Sequence, residues 1–206
     1  MSASLPRVYL ARHGETEWSL SGRHTGLTDI PLTARGEENA RQLGRRLQEL
    51  SFERVFTSPL SRARRTCDLA GFGERCQTDA DLVEWNYGDY EGLRTPEILQ
   101  QRPDWLLFRD GCPNGESFAA LAARADRVIA RLRAAEGDSL LFGHSHFSRV
   151  LAARWLGLEA QAARLFMLGT ASLSMLGYEH TRAEPAIRFW NDGRHLLADC
   201  TSRGHE

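Results

Sequence analysis

The chain has 206 residues, with 26 Lys and Arg against 27 Asp and Glu and a formal net charge of -1, so no global field draws it to nucleic acid or to an anionic membrane, and any anion site must be built locally. Four cysteines, Cys67, Cys76, Cys112 and Cys200, are too few for a disulfide scaffold and lack the CxxC or Cys/His spacing of structural zinc, which fits reduced thiols in a cytosol. The opening MSASLPRVYLARHG lacks the apolar stretch of a signal peptide and no apolar run approaches membrane-spanning length, so one soluble, cytoplasmic, enzyme-sized domain over residues 1–206 is expected.

In chain order, residues 7–11 form a short apolar run with Val and Tyr, followed by the polar, glycine-punctuated RHGETEWSLSG, which predicts a strand ending at His13 and feeding a loop. Between Thr33 and Leu50, Ala40, Leu43, Leu47 and Leu50 recur at helical spacing, and residues 53–57 read as a second strand. Ser58-Pro59 marks a helix start, and residues 60–70 carry arginines on one side and Leu60, Ala63, Cys67 and Ala70 on another. From Cys76 to Ser117 the periodicity blurs into glycines, prolines and aromatics, with one short helix near 95–101; the irregular segment at about 85–117 is expected to cover a site like a lid. Phe118, Leu121, Ala125, Val128, Ile129 and Leu132 restore a helical stripe, taken as a core face, before a buried strand at 139–143 that ends next to His144 and a helix at about 147–156. Strand-like runs at 171–178 and 186–190 lie too close together for a helical crossover. The fold class is therefore α/β: a three-layer α/β/α sandwich with a mostly parallel central sheet and an antiparallel edge, whose ligands bind beyond the carboxyl ends of the strands.

His13 and His144 both stand at such ends. A histidine nucleophile for phosphoryl transfer needs an unprotonated ring nitrogen and cations on the phosphate oxygens, and Arg12-His13 supplies both side by side. Arg62, in the first turn of a predicted helix, would grip two phosphate oxygens with its planar fork, with Arg64 and Arg65 as competitors. His144 is expected as a second donor, joined by the backbone N–H groups of Ser145 and His146 at the next helix start. Glu84, partly buried beside Trp85 and Tyr87, is the candidate acid for the leaving oxygen. His24, His146, His180 and His195 read as ordinary loop histidines, and His144 with His146 lacks partners at zinc-ligand spacing, so neither metal nor cofactor is expected.

A strand then RHGETEW, SPLSRARRT after another strand, an acidic EWNYGDYEG, and a strand then GHSHFSR together resemble the histidine phosphatase superfamily, the phosphoglycerate-mutase-like clan, over essentially the whole chain. The resemblance implies that His13 is phosphorylated, that Arg12, Arg62 and His144 form the phosphate pocket, that Glu84 is the proton donor, and that Thr25, Gly26 and Tyr87 lie on the substrate side. The family often has Asn where Ser19 stands and usually Gly at Ser145, which puts the shape of the phosphate pocket at those two positions in question.

Cofactor-dependent mutases of the family carry a lysine soon after the YGxxxGL stretch and an arginine pair further on. Here YGDYEGL is followed by Arg94 and Thr95, the insert is short, and only Arg94, Arg102 and Arg109 remain as scattered cations. The stretches EWNYGDYEGL, RDGCPNGES and RHTGLTD resemble the branch of bacterial acid phosphatases and a sedoheptulose-bisphosphate phosphatase. The expected activity is hydrolysis of small phosphate monoesters, sugar phosphates or bisphosphates; the alternatives are a phosphoglycerate mutase and a catalytically inactive phosphate-binding module. The expected partner is a small-molecule phosphate ester, with a homodimer left open.

Overall fold

The structure, a computed structural model, describes residues 5–196; Cys200 lies outside them. In β1 (Val8–Arg12), Val8 and Leu10 turn to one face of the sheet and Tyr9 and Ala11 to the other, so this one strand seeds two apolar cores. With β2 (Arg54–Thr57), β3 (Gln77–Thr78), β4 (Ser139–Gly143), β5 (Leu173–Tyr178) and β6 (Pro185–Asp192) it forms a six-stranded sheet in the order β3-β2-β4-β1-β5-β6. The β1, β2, β3 and β4 pairings are parallel, while β5 runs antiparallel to both β1 and β6, so the expected antiparallel edge is present.

Helices α2 (Ala34–Leu47) and α3 (Ser61–Leu69) close the Tyr9 face with Leu43, Leu47 and Cys67, while α6 (Phe118–Arg133) and α7 (Ser145–Trp155) close the Val8 face with Leu121, Ala125, Val128, Val150 and Leu151. The α6 stripe is buried as its spacing predicts. The remaining helices are short: α1 (Glu17–Ser21), α4 (Thr95–Gln101) and α5 (Leu107–Asp110). Among the described residues no helix is long and apolar enough to cross a membrane.

Several boundaries differ from expectation for local reasons. The pair β3 has two exposed polar residues and so no apolar signal. Helix α1 is five residues long, buries none of them and is held by a reciprocal cap between Thr16 and Ser19. The first strand stops at Arg12, although His13 N–H still donates to Gly143 O at 2.9 Å and prolongs the ladder. Leu60 remains extended as the N-cap of α3, so that helix opens at Ser61 and not at Ser58-Pro59. Helix α7 begins at Ser145, directly after His144, and α2 ends before Leu50.

Register then positions the site. Arg12 pairs with Gly143, so His13 and His144 leave adjacent parallel strands at the same height. The turn after β1 lies backbone to backbone against the first turn of α2: a Cβ on Gly14 would strike the Gly36 carbonyl, and one on Gly36 would strike the backbone of Glu15. Gly36→Ala is accordingly expected to lower the unfolding free energy by about 2 kcal/mol, within the range for forced overpacking, as measured by urea denaturation. A change below about 0.5 kcal/mol would show that this contact yields freely.

Candidate active site

His13 is buried, and its Nδ1 lies 2.7 Å from the carbonyl of Gly14. A carbonyl can only accept, so Nδ1 carries the hydrogen and Nε2 is left with the lone pair. Burial, followed by the charges of Arg12 and Arg62, holds the imidazole well below its ordinary pKa, in the neutral form a nucleophile needs. The backbone here is pinned from two sides: Gly14 N–H donates to Thr66 Oγ1 at 3.0 Å, and His13 O accepts from Ala171 N–H at 2.9 Å.

Arg12 donates through Nη1 to Leu168 O at 2.5 Å, while its Nε is covered and has no partner among the described residues. Burial lowers this guanidinium to about 10, which leaves it charged at neutral pH. Arg62 is fully buried at the start of α3, whereas Arg65 pairs with Glu37 at the surface and Arg64 is exposed. Its fork is not free for the two-pronged phosphate grip expected from sequence. Nε donates to His144 Nδ1 at 3.2 Å, Nη1 to Thr28 O at 2.9 Å, and Nη2 to Thr25 O and Gly26 O at 3.3 and 2.7 Å. One Nη1 hydrogen remains without a protein acceptor. Glu91 completes the hold on this loop, its Oε1 accepting from Gly26 and Thr28 N–H at 2.8 and 3.1 Å.

His144 packs beside His13, ring centroids 5.3 Å apart, and burial with nearby positive charge keeps it neutral. Because its Nδ1 accepts from Arg62, Nε2 carries the hydrogen and lies 2.8 Å from Ser58 Oγ. The expected donor is therefore present but engaged by Ser58, a buried residue at the end of β2 that sequence reasoning did not select.

Glu84 is buried and occupies the amino end of α7. Its Oε1 accepts from Trp85 and Phe147 N–H at 2.9 and 2.7 Å, and its Oε2 from His146 N–H at 3.0 Å. The His146 N–H expected to meet phosphate is thus engaged by the candidate acid. Tyr87 is buried, with its hydroxyl 2.5 Å from His146 Nδ1. His146 is no ordinary loop histidine: its ring packs against Trp85, Tyr87 and Phe108.

The remaining substrate-side candidates divide. Ser19 faces the cavity, but its hydroxyl donates to Thr16 O and accepts from Thr16 N–H, both at 2.9 Å, so its single hydrogen caps α1 instead of replacing the donor an Asn would bring. Thr25 lines the cavity with its hydroxyl donating to Arg23 O at 3.0 Å. Gly26 supports that loop from behind, where a Cβ would strike Glu91 and the Trp85 carbonyl. Ser145 lines the wall, and its hydroxyl reaches Leu168 O at 3.5 Å.

These groups surround a cavity of ≈ 390 Å³ lined by Arg12, His13, Glu84 and Tyr87 together with His24, Trp105, Phe108, His146, Arg23 and Arg149. Arg149 stands one helical turn beyond Ser145 on the same face of α7, a spacing visible in HSHFSR. It is buried, donates through Nε to Ala163 O at 3.0 Å and lies 4.7 Å over the Phe108 ring, and it joins no ion pair among the described residues.

The model of the histidine phosphatase superfamily, branch 1, matches residues 8–193, nearly all of the described chain. The chain belongs to the histidine phosphatase superfamily. Among histidine phosphatase relatives, an acid phosphatase of Mycobacterium tuberculosis is 43% identical over 185 residues, covering 88% of this chain and 91% of the relative. A sedoheptulose 1,7-bisphosphatase of Saccharomyces cerevisiae is 40% identical over 193 residues, covering 78% of this chain and 71% of the relative. The solved structure of an open reading frame from M. tuberculosis superposes with a TM-score of 0.84 at 39% identity, covering 90% of this chain and 97% of that one.

For this histidine phosphatase the depressed His13 gives a pH prediction. Its ring stays neutral as pH falls through 6.5 and protonates only further into acid. ¹⁵N NMR of the imidazoles is expected to show an unprotonated His13 Nε2 at pH 6, and Arg62→Met, which removes one of the depressing charges, should move the titration upward. A wild-type midpoint near 6.5 would contradict the assignment.

Proposed function

We propose that this histidine phosphatase hydrolyses small phosphate monoesters that carry a second anionic group, of which sugar bisphosphates are the type, through a phosphohistidine on His13 and with no metal ion. The observation that carries this reading is the neutral His13, its Nδ1–H held by Gly14 O, beside the covered and unpartnered Nε–H of Arg12 in one cavity with Glu84. A phosphate oxygen completes that orphan donor, and guanidinium charge supplies the stabilisation that a metal supplies elsewhere. The acid phosphatase and bisphosphatase relatives support the same chemistry.

In the first step Nε2 of His13 attacks phosphorus, the bond to the leaving oxygen breaks, and that oxygen takes a proton from Glu84. In the second, water attacks the phosphohistidine and gives its proton to Glu84, the P–N bond breaks, and phosphate departs. Glu84 accepts two N–H bonds at Oε1 and one at Oε2, so Oε2 retains the lone pair that carries the transferred proton.

Water is favoured over a second alcohol as acceptor. Thr95 stands at the cavity wall in place of the mutase-type lysine, while Arg94 pairs with Glu97, Arg109 with Asp110, and Arg102 donates to the Tyr90 hydroxyl. An inactive binding module would need only the cations, yet the nucleophile and the acid line the same cavity. We read residues 1–206 as one phosphatase domain whose irregular 85–117 segment forms a cavity wall through Trp105 and Phe108.

Two features favour a substrate with a second anionic group. Arg23 and Arg149 line the cavity along with Arg12, and neither is paired with a carboxylate among the described residues. A second space of ≈ 590 Å³ shares Leu106, Leu107, Phe108 and Arg149 with the first, giving room for a longer chain. Chelator-treated protein should release phosphate from a sugar bisphosphate faster than from the corresponding monophosphate, with little isomerisation of 3-phosphoglycerate in the presence of 2,3-bisphosphoglycerate. Arg149→Gln is expected to cut kcat/KM for the bisphosphate about 30-fold, more than for the monophosphate, as loss of a charge-assisted contact does. Equal losses on both, or dependence on added metal, would count against the proposal.

A further inference from the structure

Arg124 sits on the buried stripe of α6, three residues after Leu121 and four before Val128, where helical spacing calls for an apolar side chain. It is buried, and all five of its N–H groups are directed. Nε and Nη2 hold both carboxylate oxygens of Glu116 at 2.9 and 2.7 Å; Nη1 donates to Asp81 O and Val83 O at 2.8 and 2.6 Å; Nη2 also reaches Glu84 O at 3.4 Å. The guanidinium lies 4.3 Å over the Phe147 ring.

Every partner in this set leads to one carboxyl group. The carbonyls of Asp81, Val83 and Glu84 belong to the segment that delivers Glu84. Glu116 O accepts from Trp85 Nε1 at 2.8 Å and Glu116 N–H donates to Asn86 O at 2.9 Å, which fixes the residues just after it. Phe147, beneath the guanidinium, supplies the N–H on Glu84 Oε1. Arg124 does not line the cavity. A plain packing role would be filled with less desolvation by Leu or Met.

We infer that Arg124 is a positioning residue for the acid–base step: it ties the Glu84 backbone, the 84–86 segment and the amino end of α7 into one rigid unit that aims Glu84 Oε2 at the leaving oxygen. The inference rests on the phosphatase reading with Glu84 as the acid. It predicts an effect on proton transfer to the leaving group that exceeds the effect on phosphate binding.

The experiment is a leaving-group series. Wild type, Glu84→Gln, Arg124→Lys and the double variant Arg124→Met/Glu116→Gln, which removes the buried pair together so that neither charge is stranded, are compared on a sugar phosphate and on p-nitrophenyl phosphate, whose leaving group scarcely needs a proton. Thermal melts confirm folding. The double variant is expected to lose about 30-fold in kcat on the sugar phosphate, about tenfold more than on p-nitrophenyl phosphate, less than the roughly 100-fold or more that general acid catalysis supplies because Glu84 itself remains, with KM little changed, and Arg124→Lys should recover part of it. If the double variant does not fold, Glu116→Gln alone, which leaves the carbonyl contacts of Arg124 in place, should show a smaller loss with the same selectivity. Equal losses on both esters in folded Arg124 or Glu116 variants, with Glu84→Gln still selective, would overturn the inference alone. A uniform loss in Glu84→Gln would overturn the acid assignment and this inference with it.

Discussion

The site depends on the pairing of two parallel strands. Because Arg12 of β1 stands opposite Gly143 of β4, the residues that follow each strand emerge together, and two imidazoles share one buried space with the guanidinium groups of Arg12 and Arg62. Neither ring can take up a second proton there at neutral pH. Each is then sorted by what its other nitrogen meets. Gly14 O takes the hydrogen of His13 Nδ1 and leaves a lone pair on Nε2, while Arg62 donates to His144 Nδ1 and leaves a hydrogen on Nε2. A shift of one residue in register would separate these roles.

Buried arginines here do two kinds of work. Arg62 and Arg124 are largely or wholly saturated by backbone carbonyls and protein acceptors, and they act as cross-links between segments distant in sequence, the 25–28 loop in one case and the 81–86 segment in the other. Arg12, the half-buried Arg23 and Arg149 instead line the cavity, each donating to a single backbone carbonyl. The guanidinium suits both uses, since its planar fork satisfies several acceptors at once and it holds its charge when buried.

The sequence carried much of this plainly. Short apolar runs marked five of the strands, most plainly β1 and β4, since a buried parallel strand is a continuous hydrophobic stretch, and the positions of His13 and His144 just past those two followed. The stripes of α2 and α6 were legible from 3.6-residue spacing. What escaped depends on contacts far apart in the chain: Ser58 reaches His144 across 86 positions, Thr66 reaches Gly14 across 52, and the acceptors of Arg62 lie in a loop with no periodicity. Ser19 was read for its place in a motif, while its hydroxyl answers to a nearer partner, Thr16. Arg149 and Arg124 were not selected from the sequence, because the partners that give them their roles lie outside their own helices.

The contact between Gly14 and Gly36 bears on how such a chain can vary. In most tight contacts a larger side chain on one side is relieved by a smaller one opposite, so that a second-site suppressor exists. Here each added Cβ would meet main chain, which no substitution at the partner can trim. The two positions therefore cannot compensate for one another, and a substitution at either can be relieved only by moving α2 itself away from the turn that carries His13.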